Sequence, residues 1–150
     1  MSADELKNYG KILEIPQQEE FYRSRIETSE NKVFVIISDA MRYEVAAAMA
    51  DQLQRETQSK VSLSSMQSIF PSITKFGMAA LLPHKQLTVE FRNDNLVVLA
   101  DGQSTVSGYR EKVLKSEDSA SVALKYNDII AMKRAERSAL VKGMDVVYIY

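Results

Sequence analysis

Apolar and polar positions follow two rhythms along this chain. Val33-Phe34-Val35-Ile36-Ile37 is a continuous apolar run without polar alternation, the pattern of a central parallel strand buried on both faces. Ser38-Asp39 closes the run. From residue 43 to residue 56, Val45, Ala46, Met49, Ala50 and Leu53 recur at helical spacing, so the unit reads as strand, short polar turn, helix.

The same reading continues in both directions. Upstream, residues 3–28 carry a helical pattern broken at Pro16. Ser2 with Glu5 forms a capping box, Leu6, Tyr9, Ile12 and Leu13 share one face, and a second helix carries Phe21, Tyr22 and Ile26. Residues 1–31 are therefore expected to be an N-terminal helical pair, an adapter ahead of the sheet. Downstream, residues 61–66 suggest a second strand, and Phe70-Pro71-Ser72-Ile73-Thr74 leads into an apolar helix over residues 76–82, stopped by Pro83. Residues 87–91 and 96–99 flank Asn93-Asp94-Asn95 as a hairpin. A Ser/Thr/Gly loop at 102–108 and a short helix at 109–115 come next. A longer helix is capped by Asn127 or Asp128 and runs to Leu140, with Gly143 as its stop.

The chain closes on Asp145-Val146-Val147-Tyr148-Ile149-Tyr150, which reads as a fully buried strand with no turn or cap after it. Alternating strands and helices of this kind predict an α/β fold, a doubly wound and mainly parallel sheet. Residues 32–150 are expected to form the first part of a larger catalytic domain, so any site within them is expected to be incomplete.

Composition narrows the function classes. Lys and Arg total 19 against 20 Asp and Glu, a net charge of −1, so no global field draws the chain toward nucleic acid or an anionic membrane. With no cysteine, disulfides and thiolate metal sites drop out, which fits an intracellular protein. No stretch approaches the roughly 18 apolar residues of a membrane span, and the polar, acidic start is no signal peptide. A cytoplasmic location is expected, without a membrane partner.

Chemistry concentrates at two turns. Asp39 directly follows an apolar strand, at the carboxyl edge where open α/β sheets build their sites; it can equally close the turn or cap the next helix. Ser72, Thr74 and Lys75 stand at the start of the next apolar helix. A hydroxyl there suits attack on, or binding beside, a phosphoryl group, or it simply caps the helix. If both turns share one sheet edge, carboxylate and hydroxyl can hold a divalent ion between them and generate a nucleophile. No Gly-rich phosphate loop is present, which removes the P-loop and dinucleotide classes. Arg42 and Lys75 are candidate substrate-binding cations, each with a packing or solvated alternative. Asp101 with Ser104 and Thr105 reads as a plain connection, with a substrate-side loop as the alternative, and Met41, Met49, Met66 and Met78 read as core filling.

Three segments in order, Val35-Ile36-Ile37-Ser38-Asp39-Ala40-Met41-Arg42-Tyr43-Glu44, then Phe70-Pro71-Ser72-Ile73-Thr74 with Met78-Ala79-Ala80-Leu81-Leu82-Pro83-His84-Lys85, and the terminal Asp145 strand, resemble the PglZ domain of the alkaline phosphatase superfamily. PglZ proteins belong to BREX bacteriophage-defence systems. The resemblance runs from about residue 21 to residue 150. It implies that Asp39 binds a catalytic metal and that Thr74 is the metal-bound nucleophile, with Ser72 as the alternative two residues earlier. It also implies a zinc, manganese or magnesium site and hydrolysis of a phosphate ester, monoester or diester, nucleic acid included, in company with other BREX subunits. Superfamily sites need further Asp and His ligands. The single histidine here, His84, is expected to be a surface or structural residue. The alternative to an enzyme is a scaffold that keeps the fold and binds partner subunits of a defence complex.

Overall fold

A computed structural model describes Lys7 and residues 14–150. The Ser2 and Glu5 capping pair and the face of Leu6, Tyr9, Ile12 and Leu13 lie outside these residues. The chain divides into two compact units, residues 1–16 with 38–67, and residues 17–37 with 68–150.

The second unit holds six strands. In chain order they are β1 (Val33–Ile36), β2 (Leu87–Arg92), β3 (Asn95–Ala100), β4 (Gln103–Ser104), β5 (Ser121–Leu124) and β6 (Val146–Ile149). Three of them form a parallel sheet in the order β1-β6-β5, with Val35 and Ala123 both opposite Tyr148. The other three form a separate antiparallel sheet in chain order. The fold is α/β with one parallel sheet and helices, and half of its strands stand outside that sheet.

Position in the sheet decides burial. β6 is paired on both edges, and Val146, Val147 and Tyr148 are buried as its sequence predicts. β1 was expected to be central and buried on both faces; among the described residues it pairs on one edge only, with β6. Val35 is 8% exposed, whereas Phe34 is 51% and Ile36 72% exposed. Successive side chains of a strand point to opposite faces, and the main core covers one of them. On that face Val33, Val35, Val146, Tyr148 and Ala123 pack with Tyr22, Ile26, Leu82, Val113 and Leu114. Tyr22 and Ile26 come from a π-helical turn, Tyr22–Ile26, so this segment belongs to the core beneath the sheet.

Local chemistry explains the remaining elements. Asn93 and Asp94 both take positive φ, 48° and 59°, the left-handed pair that a two-residue hairpin needs, and they join β2 to β3 in full register from Leu87 opposite Ala100 to Arg92 opposite Asn95. The first unit carries α1 (Tyr43–Glu56). The second carries α2 (Thr74–Ala80), α3 (Arg110–Glu117), α4 (Tyr126–Ile130) and α5 (Arg134–Val141).

Several expectations are corrected. Residues 61–66 form no strand and are mostly exposed; this short Ser-rich alternation pairs with no strand among the described residues. The single helix expected up to Leu140 is two: Lys133 turns extended, and its N–H donates to the Glu136 carboxylate at 2.6 Å, which starts a new helix. Gly143 does stop it, at φ 75°. β5 and the two-residue β4 went unpredicted. Met78 is buried, but Met41, Met49 and Met66 are exposed, so only one of the four fills a core.

Candidate functional site

Asp39 follows the carboxyl end of β1. Ile37 still donates its N–H to the Ile149 carbonyl at 2.8 Å, so the sheet hydrogen bonding persists to two residues before the carboxylate. The exposed Asp39 Oδ1 accepts the N–H of Ala40 at 2.9 Å, and Ala40 sits at φ 56°. A left-handed alanine is costly, which marks this as a tight, specified turn. Arg42 is the N-cap residue of α1 without capping through its side chain; its exposed guanidinium stands 3.8 Å from the Glu44 carboxylate, a pairing worth little at the surface.

The hydroxyl turn lies in the second unit. Helix α2 begins at Thr74, and its N-cap residue is Ile73, whose side chain offers no oxygen and whose carbonyl accepts the N–H groups of Phe76 and Gly77 at 3.0 Å each. Ser72 and Thr74 are both exposed, and neither occupies the N-cap position itself. Met78, Ala79 and Ala80 are buried and seat the other end of the helix.

One positioning residue escaped sequence reading. Gln18, in a 3-10 turn at Gln18–Glu20, accepts the Ile69 N–H at 3.1 Å and donates to the Gly77 carbonyl at 3.2 Å. The two bonds clamp both ends of the segment that carries Ser72 and Thr74. No local pattern marks a glutamine for such a task, since its partners lie 51 and 59 residues away.

Lys75 is exposed, and its ammonium donates to the Leu96 carbonyl at 3.1 Å. His84 lies past the end of α2, with Nδ1 and the Leu82 carbonyl 2.7 Å apart. Asp101 accepts the N–H groups of Lys85 and Gln86, both at 2.9 Å. Those bonds, the Lys85 N–H first, hold its carboxyl below the usual carboxylate range against the opposing effect of burial. Asp101 thus fastens the loop after Pro83 to the end of β3.

Asp39 and Arg42 fall in the first unit, and Ser72, Thr74 and Lys75 in the second. Carboxylate and hydroxyl oxygens suit a divalent cation. Among the described residues no group of three or more His, Cys, Asp or Glu is arranged to hold one. No helix among the described residues is long and apolar enough to cross a membrane.

A parallel sheet with helices is consistent with an alkaline-phosphatase-like α/β domain. The chain belongs to the BREX system PglZ alkaline phosphatase-like domain family, which it matches over residues 20–150. It is similar to the alkaline phosphatase-like protein PglZ of Bacillus cereus (strain H3081.97), 36% identical across 97% of this chain and 17% of that protein. It is equally similar to the alkaline phosphatase-like protein BrxZ of Escherichia coli O9:H4 (strain HS), 36% identical across 99% of this chain and 19% of that protein. The chain therefore spans less than a fifth of the length of either relative. No solved structure matches it.

Proposed function

We propose that this chain is part of a metal-dependent phosphate-ester hydrolase, a phosphatase or phosphodiesterase with nuclease action on nucleic acid included, working in BREX bacteriophage defence beside other BREX subunits in the cytoplasm. Membership of the PglZ family, with Asp39 in the turn that follows β1 and Thr74 leading α2, is the observation that supports the reading.

Asp39 is assigned as a metal ligand and Thr74 as metal-bound nucleophile, with Ser72 as the alternative hydroxyl. A zinc, manganese or magnesium ion completed by donors elsewhere in the longer protein would supply charge stabilisation at phosphorus and favour the ionised hydroxyl. Thr74 would lose its proton to solvent and form a bond to phosphorus as the bond to the leaving alcohol breaks, and water would then release the phosphate and restore the hydroxyl, while Arg42 and Lys75 would attract the substrate's negative charge. Full-length protein supplied with zinc or manganese is expected to hydrolyse a chromogenic phosphodiester. Asp39→Ala and Thr74→Ala should each lower that rate at least 100-fold without changing the melting temperature. Activity that survives both changes removes the assignment.

The second reading, a non-catalytic scaffold that binds partner subunits, rests on the paucity of metal donors among the described residues. It predicts no hydrolysis with any of the three metals, and undiminished binding of BREX subunits by Asp39→Ala protein.

A further inference from the structure

A cavity of about 400 Å³ opens within the second unit, between β3, the turn after β4 and the start of α3. Leu96, Val98 and Val106 supply apolar wall, Ser107 adds a hydroxyl, and Lys75 and Arg110 bring two cations. None of the residues lining it carries a carboxylate, and among the described residues no carboxylate lies within 4.0 Å of either cation.

Arg110 is the unusual member. Its side chain is partly buried, and the guanidinium carbon lies over the Tyr150 ring, 4.2 Å from its centroid, against an uncharged partner. Nε donates to the Thr105 carbonyl at 3.2 Å. Tyr150 is itself fixed, because its hydroxyl donates to the Ser107 carbonyl at 2.8 Å and lies 3.1 Å from the Ser107 hydroxyl. Burial pulls the Arg110 pKa below the ordinary guanidinium value, partly offset by Tyr150. A partly desolvated guanidinium has lost hydration that no protein anion replaces. It also has more N–H donors than Thr105 and Tyr150 accept, and its plane is already held, which is the preorganised fork that recognises oxyanions.

We propose that this cavity is a binding subsite for a phosphate group attached to an apolar or aromatic body, with Arg110 as the principal anion-binding residue and Lys75 as its second cation. The apolar wall takes the organic part of the ligand and the two cations take the phosphate. The choice of phosphate over another anion rests on the hydrolase reading given above; the anion site itself does not. Lys75 neighbours Thr74 in α2, so a ligand seated here lies beside the assigned nucleophile's helix.

The test is calorimetric titration of phenyl phosphate into full-length protein in EDTA, so that no metal contributes. Binding is expected to weaken as salt is raised. Arg110→Gln should weaken it about tenfold or more, and Lys75→Gln, a change at an exposed residue, several-fold. Asp39→Ala should leave it unchanged, which separates this subsite from the assigned metal site. Benzoate is expected to bind at least tenfold more weakly than phenyl phosphate. The proposal is overturned if phenyl phosphate does not bind at millimolar concentration, if both cation variants bind as wild type, or if benzoate binds equally well. Should Arg110→Gln fail to fold, unchanged affinity in Lys75→Gln alone decides against it.

Discussion

Single polar groups in this chain have consequences out of proportion to their size. Tyr148 lies on the core face of β6 at 1% exposure, and its hydroxyl donates to the Leu81 carbonyl at 2.6 Å. Burial pushes its pKa far up, with the nearby Tyr22 hydroxyl adding to the shift. Tyr148→Phe keeps the packing but strands a buried carbonyl, so it should cost about 1–3 kcal/mol, read as a lower urea midpoint with unchanged slope. Asp101 gives a pH signature of known sign. Its folded pKa is depressed below 3.8 by the Lys85 and Gln86 N–H groups, so its contribution is present above pH 3.8 and lost as pH falls through the folded value. Asp101→Asn should therefore make the acid limb of a stability curve shallower below that pH. The effect will be small, because the carboxylate is exposed and water screens it. Asp39 and Thr74 were legible as candidates because the one comes just after a local apolar run and the other just before one. Gln18 and Arg110 were not, because their significance comes from partners distant in sequence or from a cavity wall.

At the scale of elements, β1 and β6 look alike in sequence and behave differently. Both are apolar runs of β-branched and aromatic residues, yet β6 is paired on both edges and β1 on one. Val147 is fully buried, and Ile36 is 72% exposed. Val147→Ala is expected to destabilise by about 2–3 kcal/mol, whereas Ile36→Ala should change stability by less than about 0.5 kcal/mol; thermal or urea unfolding of the pair checks the contrast. The β2–β3 hairpin was legible because Asn93 and Asp94 tolerate the left-handed region by themselves. The break between α4 and α5 was hidden in a continuous helical pattern. There the Glu136 carboxylate offers the Lys133 N–H an alternative to helix continuation.

For the whole molecule, the proposed metal chemistry turns on how many donors this stretch supplies. On the hydrolase reading proposed above, and with no cluster of three or more candidate ligands among the described residues, the 150-residue chain by itself is expected to bind zinc or manganese weakly and to show no metal-stimulated hydrolysis of a chromogenic phosphodiester. Calorimetric metal titration beside that assay checks both halves. The α/β class, the strand that ends before Asp39, the helix behind Thr74 and the Asn93-Asp94 turn were all determined by sequence alone, because backbone sterics and side-chain periodicity act between near neighbours. Only the tertiary structure decided that β6 is central and β1 peripheral, that residues 121–124 form a strand while residues 61–66 do not, and that Tyr22 and Ile26 lie in the core. Strand pairing and face coverage depend on backbone hydrogen bonds and apolar contacts between segments far apart in the chain. A local pattern can therefore specify a strand without specifying its neighbours.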